Sequence, residues 1–255
     1  MRLATWNVNS LTVRLPQVID WLATEAVDVL VLQETKVTDD KFPRQALEAA
    51  GYHVAFFGQK TYNGVALLSR QPSSEIVKNI PGFADDMARV ITGTVNGVRV
   101  MGAYFPNGQA PDSNKFVYKM QWLTALRECL RDELTRHPQL VLMGDFNITL
   151  DDRDVYYPVA LKDTIHCTQE ERTHLQGLLA LGLHDAFRLF DQPEKSYSWW
   201  DYREFAFRRN RGLRIDHILV SDALKPAVQA CVIDKAPRKN ERPSDHTPVV
   251  VTLQM

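Results

Sequence analysis

Short apolar runs with the composition of β-strands recur along the whole sequence, and they limit the chain to folds built on extended sheets. The runs are rich in Val, Leu, Ile and aromatic residues and have Gly or Pro at their borders, as strands usually do. The run "LVLMGDF" is apolar almost throughout, which indicates a strand buried on both faces. In order, the runs are "RLATWNV", "VDVLVLQ", "YHVAFF", "GVALLSR", "RVITGTV", "VRVMGAYF", "QLVLMGDF", "RIDHILVS" and "VVVTL".

Helical segments separate some of these strands. Residues 116–136 place five apolar side chains at helical spacing, which predicts a long amphipathic helix. Residues 14–25 and 42–50 predict shorter helices. The apolar positions of the long helix are Met120, Leu123, Leu126, Leu130 and Leu134.

A further helix is predicted from its end signals. Thr168 is followed three residues later by Glu171, the pattern of a capping box, and Gly182 is a plausible C-cap. Many strands with few helices, and no clean βαβ alternation, predict an α/β fold in which sheets pack on one another and helices flank them. We expect one compact domain spanning residues 1–255.

Composition narrows the setting of this fold. Of the 255 residues, 45% are hydrophobic and 24% are charged, which is typical of a globular protein with a large core. The formal net charge is −1, so contact with a polyanion must come from local basic patches. No apolar run reaches the length of a membrane span, and a strand begins at the N-terminus with no room for a secretory signal.

The cysteines indicate a reducing compartment. Cys129, Cys167 and Cys231 are odd in number and far apart, which is neither a disulfide framework nor metal-ligand spacing. The expected location is the cytoplasm.

Polar residues stand where several apolar runs end, which is where open sheets usually hold ligands. Each has a structural alternative: Asn7 and the segment "GDFN" could form turns, Glu34 could be a solvated charge, and Tyr104 could belong to the core. Asp216 is harder to explain this way, because a charge inside a strand must be paired or exposed. The positions are Asn7, Glu34, Tyr104, Asp145, Asn147, Asp216, His217, Asp245 and His246.

Taken together, these residue types suit the hydrolysis of a phosphate ester. The oxygen ligands of Glu34, Asp245 and the Asn7 amide suit Mg²⁺ or Mn²⁺, whereas the usual zinc ligands, Cys and His, are sparse. A histidine next to a carboxylate can be oriented and kept cationic. The reaction needs a cation to neutralise phosphoryl oxygens, a carboxylate to orient water and donors for the developing negative charge.

Motifs in the same order resemble a known family. They are "TWNVNSL", "LQETK", "GQKTYNGVALLS", "YFPNG", "GDFNI", "WWDYR", "NRGLRIDHIL" and "RPSDHTPV". The chain resembles the exonuclease III-like branch of the endonuclease/exonuclease/phosphatase superfamily, the DNA-repair nucleases that include abasic-site endonucleases. This resemblance implies a four-layer α/β sandwich, with two mostly antiparallel or mixed sheets face to face and helices outside.

The resemblance also implies a role for each polar residue. Glu34 would be the main metal ligand, with Asn7 and Asp245 nearby. Asp216 would hold His246 against the scissile phosphate, and Asp145 would orient or deprotonate the attacking water. The remaining two, Asn147 and Tyr104, would donate hydrogen bonds to phosphate oxygens. His246 and Asp145 are both candidates for the general base.

A second group of residues is expected to hold DNA. The segment "WWDYREFAFRRNRGLR" interleaves aromatic and arginine side chains, which can stack on bases and contact phosphates; the alternative is a core strand followed by a solvated loop. The candidates are Lys60, Tyr62, Arg89, Lys115, Trp199, Arg208, Arg209 and Arg211, with Lys119 extending the surface and Arg203 and Arg214 within the quoted segment.

One departure from the family pattern concerns the pocket that takes a flipped-out abasic sugar. Its walls would come from His166, Cys167, Leu213 and Ile215, and the resemblance implies a small residue where His166 stands. A histidine there could fill the space and weaken or abolish abasic-site cleavage, while attack at 3′ ends would remain. The alternative is that His166 points to solvent and changes nothing.

The sequence therefore predicts a Mg²⁺- or Mn²⁺-dependent hydrolase that acts as a 3′→5′ exodeoxyribonuclease and 3′-phosphatase in DNA repair. Its partner would be duplex DNA with nicks, gaps or damaged 3′ ends, with no membrane involved, and the protein would be a monomer. The alternatives are a full abasic-site endonuclease, a lipid-headgroup or RNA phosphodiesterase, and a catalytically silent DNA-end-binding protein.

Overall fold

The structure is a computed structural model that describes all residues 1–255. It contains five α-helices, α1 (Leu11–Glu25), α2 (Arg44–Ala49), α3 (Asn114–Arg136), α4 (Pro158–Leu161) and α5 (Gln169–Leu179). Its strands are β1 (Arg2–Asn7), β2 (Val29–Gln33), β3 (His53–Phe57), β4 (Val65–Ser69), β5 (Ser74–Lys78), β6 (Val90–Val95), β7 (Val98–Tyr104), β8 (Leu140–Asp145), β9 (Leu183–Asp185), β10 (Trp199–Trp200), β11 (Gly212–Leu213), β12 (Asp216–Ser221), β13 (Val228–Ile233) and β14 (Val249–Leu253).

Most strands belong to two six-stranded mixed sheets. The first sheet has the order β13-β14-β1-β2-β4-β3 and the second has the order β5-β6-β7-β8-β12-β9. Each sheet contains one parallel pair, β1 with β2 and β7 with β8, and all its other pairs are antiparallel. Helices α1 and α3 connect the parallel pairs, so the chain has two βαβ crossovers that its overall pattern did not predict. Strands β10 and β11 form a separate small ribbon.

The two sheets pack face to face and the helices cover their outer faces. The central core combines Val29 and Val31 of the first sheet with Val100 and Val141 of the second. Gly102 permits this approach, because a Cβ at that position would lie 2.2 Å from Cγ1 of Val31. A second cluster joins the first sheet to α1 and α2, and a third joins the second sheet to α3 and α5. The predicted four-layer α/β sandwich is confirmed.

The predicted helices are present with shifted ends. Helix α1 begins at Leu11 because the hydroxyl of Ser10 accepts a hydrogen bond from the Val13 amide, and α3 begins at Asn114 because Ser113 caps it in the same way. The capping box of α5 is present, but the helix ends at the C-cap Ala180. The prediction of Gly182 as the C-cap is therefore wrong.

All nine quoted apolar runs contain strands, whereas the edge strands β5, β9 and β13 were not predicted. Strand β5 reads "SEIVK" and is mostly exposed, and charged or polar residues are common on edge strands. None of the helices combines the length and the apolar character needed to cross a membrane.

Candidate active site

The two parallel strand pairs end at the same place, between the sheets. Asn7 is the last residue of β1, and Glu34 follows β2 directly. In the second sheet, Tyr104 ends β7 opposite Asp145, which ends β8. Asp216 begins β12 and is also paired with Asp145 in the sheet register. Since parallel strands present their carboxyl ends at one edge, the topology brings these five side chains together.

Gly144 allows β8 to pack closely against β7 at the point where Asp145 ends β8. A Cβ on Gly144 would lie 1.8 Å from the carbonyl oxygen of Ala103, so a larger residue would force β7 and β8 apart. Gly144 and Asp145 therefore form the closely packed end of β8. They do not form a turn, although their residue types are common in turns.

Acidic side chains converge on the amide of Asn7. Its Nδ2 donates hydrogen bonds to Oε1 of Glu34 at 2.8 Å and to Oδ2 of Asp145 at 2.9 Å. Glu34, Asp145 and His246 each offer one ligand atom, and these atoms all lie within 4.8 Å of one another. Glu34 has φ 52°, a left-handed conformation that is uncommon for residues other than glycine and often occurs at functional sites.

His246 is held by Asp216, as the resemblance to the family implies. The Nδ1 atom of the imidazole lies 2.9 Å from Oδ2 of Asp216, and Nε2 lies 3.6 Å from Oδ2 of Asp145. Burial by itself would lower the pKa of His246, but the carboxylates of Asp216 and Asp145 outweigh burial and raise that pKa to about 10. The imidazole is therefore cationic at neutral pH.

Asp145 lies between opposing influences. Burial is the largest and raises the pKa of its carboxyl group, and the nearby carboxylates of Asp216 and Glu34 raise it further, whereas His246 and the Asn7 amide lower it. The net direction is upward. Repulsion between Glu34 and Asp145 would be relieved by a positive charge between them.

The donor set fits a hard divalent cation. The carboxylates of Glu34 and Asp145 converge on a single amide, and such oxygen ligands suit Mg²⁺, Mn²⁺ or Ca²⁺ better than zinc. The cluster could hold a divalent cation at this point.

Two of the expected metal ligands are oriented differently from the prediction. The Asn7 amide presents its nitrogen to the carboxylates, while its Oδ1 accepts from the backbone amide of Asn9 at 3.0 Å. Asp245 lies outside the three-residue cluster, because Asn9 Nδ2 and the indole of Trp199 hold its two carboxylate oxygens at 3.1 and 2.9 Å. Asp245 thus supports the site from its edge, and Asn7 supports it by joining Glu34 to Asp145.

Sequence reasoning missed two residues of the site. Lys36 lies 3.1 Å from the Glu34 carboxylate, and its ammonium also contacts the side chain of Asn9. The motifs "TWNVN" and "QETK" contain both residues, but only their spatial proximity across β1 and β2 distinguishes them from ordinary loop residues.

Tyr104 faces the acidic cluster and one wall of a groove. Burial, followed by the charges of Glu34 and Asp145 and a hydrogen bond to Glu34, raises the pKa of Tyr104 well above its usual value. The guanidinium of Arg89 lies over the Tyr104 ring, 5.1 Å from its centroid. We call this cavity of about 470 Å³ the Arg89 groove; its walls include Tyr62, Arg89, Tyr104, Lys115 and Tyr118.

Asn147 and Lys119 sit beneath this region. The Asn147 amide accepts a hydrogen bond from Asn107 at 3.3 Å and donates to the carbonyl of Phe105 at 3.0 Å. Lys119 is fully buried, donates to the Asn147 carbonyl at 2.8 Å and pairs with Glu171. The expectation that Lys119 extends a DNA-binding surface is therefore wrong.

His166 lies in the wall of a second cavity. This cavity of about 500 Å³, the His166 pocket, is bordered by His166, Trp199, Arg203, Arg211 and Leu213, with Tyr156 at one side. Nδ1 of His166 is 2.7 Å from the carbonyl oxygen of Asn147, so the ring is fixed in the pocket wall and does not project freely into solvent.

Two of the predicted pocket residues are not in that wall. Cys167 and Ile215 are buried behind it in a small cluster with Val155 and Leu213. Their side chains support the wall, because Ile215 is 2% exposed and Cys167 is 5% exposed. The prediction that they line the cavity is wrong.

The arginine-aromatic segment is part core and part surface. Trp200 and Ala206 are buried, and Phe207 packs against them. Arg214 is buried in ion pairs with Asp154 and Asp185, so it cannot contact DNA. The residues of the segment that remain at the surface include Tyr202, Arg203, Phe205, Arg208, Arg209 and Arg211; Trp199 is half-buried, and Lys60 is exposed on a separate loop.

The fold and the site define the class of α/β-sandwich phosphoesterases. The profile of the Endonuclease/Exonuclease/phosphatase family matches residues 4–246. The chain belongs to this family, and its relatives place it in the exonuclease III-like branch, as the motifs predict.

Relatives of known name cover the whole chain. Exodeoxyribonuclease III of Haemophilus influenzae is 36% identical and is matched over 98% of both chains. The 3′ phosphatase NExo from Neisseria, solved with a product DNA hairpin, is 50% identical with a TM-score of 0.98, and each chain is covered completely. An AP endonuclease from Archaeoglobus fulgidus is 36% identical with a TM-score of 0.97, also over the full length of both. The expected enzyme class, a hydrolase of the nuclease type, is confirmed.

Proposed function

We propose that this protein uses Mg²⁺ or Mn²⁺ to hydrolyse phosphate esters at the 3′ ends of duplex DNA, as a 3′→5′ exodeoxyribonuclease and 3′-phosphatase. The observation that carries the proposal is the convergence of Glu34, Asp145 and His246, whose ligand atoms lie within 4.8 Å of one another. The similarity to the Neisseria 3′ phosphatase and to exodeoxyribonuclease III supports the choice of substrate.

The proposed catalytic residues have two roles: some stabilise negative charge on the phosphate, and one orients or deprotonates the attacking water. His246 is held at Nδ1 by Asp216, so Nε2–H is directed toward the acidic cluster and can donate to a phosphate oxygen. Asp145 is the candidate that orients or deprotonates the attacking water, because its carboxylate faces the same space. Tyr104 remains protonated and acts as a donor to phosphate. Asn147 can offer its second amide proton.

The metal would be held by Glu34 and Asp145, with Asn7 and Asp245 as supporting groups. When bound, a divalent cation supplies positive charge to the phosphoryl oxygens and orients the substrate. Lys36 is the cation that already neutralises Glu34.

DNA would lie across both cavities. Tyr62, Arg89 and Lys115 offer contacts on the side of the Arg89 groove, together with the exposed Lys60. Trp199, Arg208, Arg209 and Arg211 offer contacts on the other side. Because the net charge of the chain is only −1, these local cations would supply the attraction for phosphate.

A full abasic-site endonuclease is the second candidate, because the His166 pocket is large and the AP endonuclease from Archaeoglobus fulgidus has the same fold over its full length. We propose that abasic-site incision is weak in this protein. The imidazole of His166 is fixed by its contact with Asn147 and takes up space that a flipped-out deoxyribose would need.

The substrate is proposed to be duplex DNA with nicks, gaps or damaged 3′ ends, and the protein is proposed to be a monomeric single domain that works in the cytoplasm. A panel of substrates tests the activity. The protein is incubated with a labelled nicked duplex that carries a 3′-phosphate, with a duplex that carries an abasic site, and with a phosphorylated lipid, each with and without Mg²⁺.

The proposal predicts metal-dependent release of phosphate from the nick, slower incision at the abasic site and no reaction with the lipid. Abasic incision as fast as phosphate release would favour the full endonuclease. Hydrolysis of the lipid would favour a lipid phosphodiesterase, and binding to the nick with no product under any condition would favour a silent end-binding protein.

A further inference from the structure

A basic and aromatic groove lies beside the His166 pocket, and its three tyrosines and its lysine have no role in the function proposed above. This cavity of about 620 Å³, the Tyr157 groove, is lined by seven residues, and none of them is acidic. Its volume is within the usual range of small-molecule pockets. The lining residues are Tyr156, Tyr157, Lys195, Tyr197, Arg209, Asn210 and Arg211.

The charges of the groove are largely uncompensated. Neither Lys195 nor Arg209 has a carboxylate partner within 4.0 Å, and Arg211 has only the loose pair with Glu204 at 3.7 Å. In a chain whose net charge is −1, such a cluster is a local positive field. It would attract an anion.

The aromatic rings of the groove are accessible. Tyr157 is 61% exposed and Tyr156 is 37% exposed, while Tyr197 is buried and forms the floor. Single exposed aromatic residues are common on protein surfaces. Here, two consecutive exposed tyrosines line a cavity together with one lysine and two arginines. This combination suits unpaired nucleotides, because an aromatic ring can stack on any base and a basic side chain can contact the phosphate.

Hydrogen bonds fix the shape of the groove. The amide of Tyr156 donates to the carbonyl of Gly212 at 3.1 Å. Asn210 joins two sides of the groove, since its Oδ1 accepts from the Trp200 indole at 3.1 Å and its Nδ2 donates to the carbonyl of Lys195 at 3.0 Å. The site is therefore formed in advance.

The groove is continuous with the active site. Tyr156 and Arg211 line both the Tyr157 groove and the His166 pocket. The pocket in turn contains Trp199, whose indole holds Asp245 beside the catalytic His246. A strand that leaves the reacting end on this side would pass from the pocket into the groove.

We propose that the Tyr157 groove is a second nucleic-acid subsite that binds unpaired nucleotides next to the duplex end. Bases within a duplex are stacked on each other and expose only their edges to the grooves, so the rings of Tyr156 and Tyr157 can stack only on bases outside the duplex. The inference rests on the proposed function, because it requires a DNA end at the active site.

The test compares three 3′-phosphorylated duplexes in EDTA: one is blunt, one carries a short run of unpaired thymidines on the reacting strand, and one carries the same run on the complementary strand. Fluorescence anisotropy gives the Kd of each for the wild-type protein and for Tyr157→Ala and Arg209→Ala. Two matched controls are Tyr157→Phe, which keeps the ring, and Arg131→Ala, which removes an exposed guanidinium from α3.

The wild-type protein should bind at least one extended duplex more tightly than the blunt one. Tyr157→Ala should weaken binding of that duplex by about 5- to 100-fold and leave the blunt duplex nearly unchanged. Arg209→Ala should weaken binding of all three duplexes, because Arg209 also contacts duplex phosphate in the proposed function, and should weaken that extended duplex most. Both control variants should resemble the wild type. The extended duplex that loses affinity shows whether the reacting strand or the complementary strand lies in the groove.

An equal loss on blunt and extended duplexes in Tyr157→Ala would overturn the proposal, because the groove would then contact the duplex itself. Equal affinity of the wild-type protein for all three duplexes would also overturn it while leaving the proposed function intact. Failure to bind even the blunt duplex would instead contradict the proposed function, and the subsite with it.

Discussion

Arg238 donates a hydrogen bond of 2.8 Å to the carbonyl of Ser244, two residues before His246. Arg238 is only 7% exposed and has no carboxylate partner. Its guanidinium instead lies near the rings of Trp200, Tyr202 and Phe207, with the shortest centroid distance 4.9 Å to Phe207. Arg238 therefore joins the arginine-aromatic segment to the segment that carries His246.

Ser244 connects Arg238 to the active site through hydrogen bonds to Asn7 and His246. Its hydroxyl donates to the carbonyl of Asn7 at 2.7 Å and accepts from the amide of His246 at 3.2 Å. A shift of Arg238 would be transmitted to both residues. We therefore expect Arg238 to act as a positioning residue.

Replacing Arg238 by methionine should lower the activity without lowering the thermal stability. Burying a cation without a charged partner is costly, so an apolar side chain of similar length should keep or raise the melting temperature. The loss of the tether to Ser244 should lower kcat/KM for 3′-phosphate release by about ten- to a hundredfold. Melting curves and steady-state kinetics on the same preparation measure both.

Arg99→Met is the matched control. Arg99 is also buried, but it pairs with Glu133 at 2.7 Å, far from the site. Its loss leaves the buried Glu133 carboxylate with the exposed Arg136 as its remaining arginine partner and should cost about 1–3 kcal/mol of unfolding free energy, with kcat unchanged. If Arg238→Met lost activity only in proportion to its loss of folded protein, the positioning role would be wrong.

His166→Gly should increase abasic-site incision by about tenfold or more, because loss of the imidazole from the wall enlarges the pocket. The backbone at this position has φ 72°, which glycine adopts without strain, so the fold should persist. Phosphate release from a 3′ end should change little. His174→Gly on α5 serves as the control, and rates on both substrates measure the outcome. Unchanged abasic incision in His166→Gly would show that His166 does not block the pocket.

The double variant Arg208→Ala/Arg209→Ala should bind nicked duplex more weakly and with a shallower dependence on salt. Each lost phosphate contact reduces the slope of log K against log [salt] by about 0.9, so two contacts predict a change of about 2. Anisotropy titrations over a range of salt concentrations measure the slope. An unaltered slope would remove these two arginines from the phosphate contacts.

Asp154→Asn should destabilise the protein most at neutral pH. Burial by itself would raise the pKa of Asp154, but Arg214 and Arg188 outweigh it and lower the pKa from 3.8 to about 2. A depressed folded-state pKa contributes stability above the unfolded value, and this stability is lost as the pH falls from about 4 to 2. The wild-type protein should therefore exceed the variant by about 2 kcal/mol at pH 7.

Urea unfolding at pH 7, 4 and 3 measures this difference in unfolding free energy. The gap between wild type and Asp154→Asn should narrow at the most acidic pH. If the difference in unfolding free energy stayed constant from pH 7 to pH 3, the ion pairs of Asp154 with Arg214 and Arg188 would not explain the loss of stability in acid.

The interior of the fold could be predicted from sequence because its strands are apolar and regular. Strand β8, for example, is buried along its whole length, and its sequence shows this directly. The edge strand β5 is polar and exposed, so hydrophobic pattern could not reveal it. The site residues at strand ends could be found for the same reason: Asn7, Glu34 and Asp145 interrupt apolar runs.

Residues whose partners lie far along the chain could not be interpreted correctly. Lys119 and Arg214 look like surface cations in sequence, but each is buried against carboxylates from other elements. Lys36 and Ser244 have ordinary local contexts, and their contacts with the active site exist only after the two sheets pack together.

The central claim is that Glu34, Asp145 and His246 form one metal-dependent centre for phosphate ester hydrolysis. The most direct test is the single-turnover rate of phosphate release from a 3′-phosphorylated nick at saturating Mg²⁺, for the wild-type protein and for the near-isosteric Glu34→Gln. The account predicts a rate at least about 100-fold lower in the variant, with duplex affinity in EDTA retained. A Glu34→Gln protein that releases phosphate as fast as the wild type would contradict it.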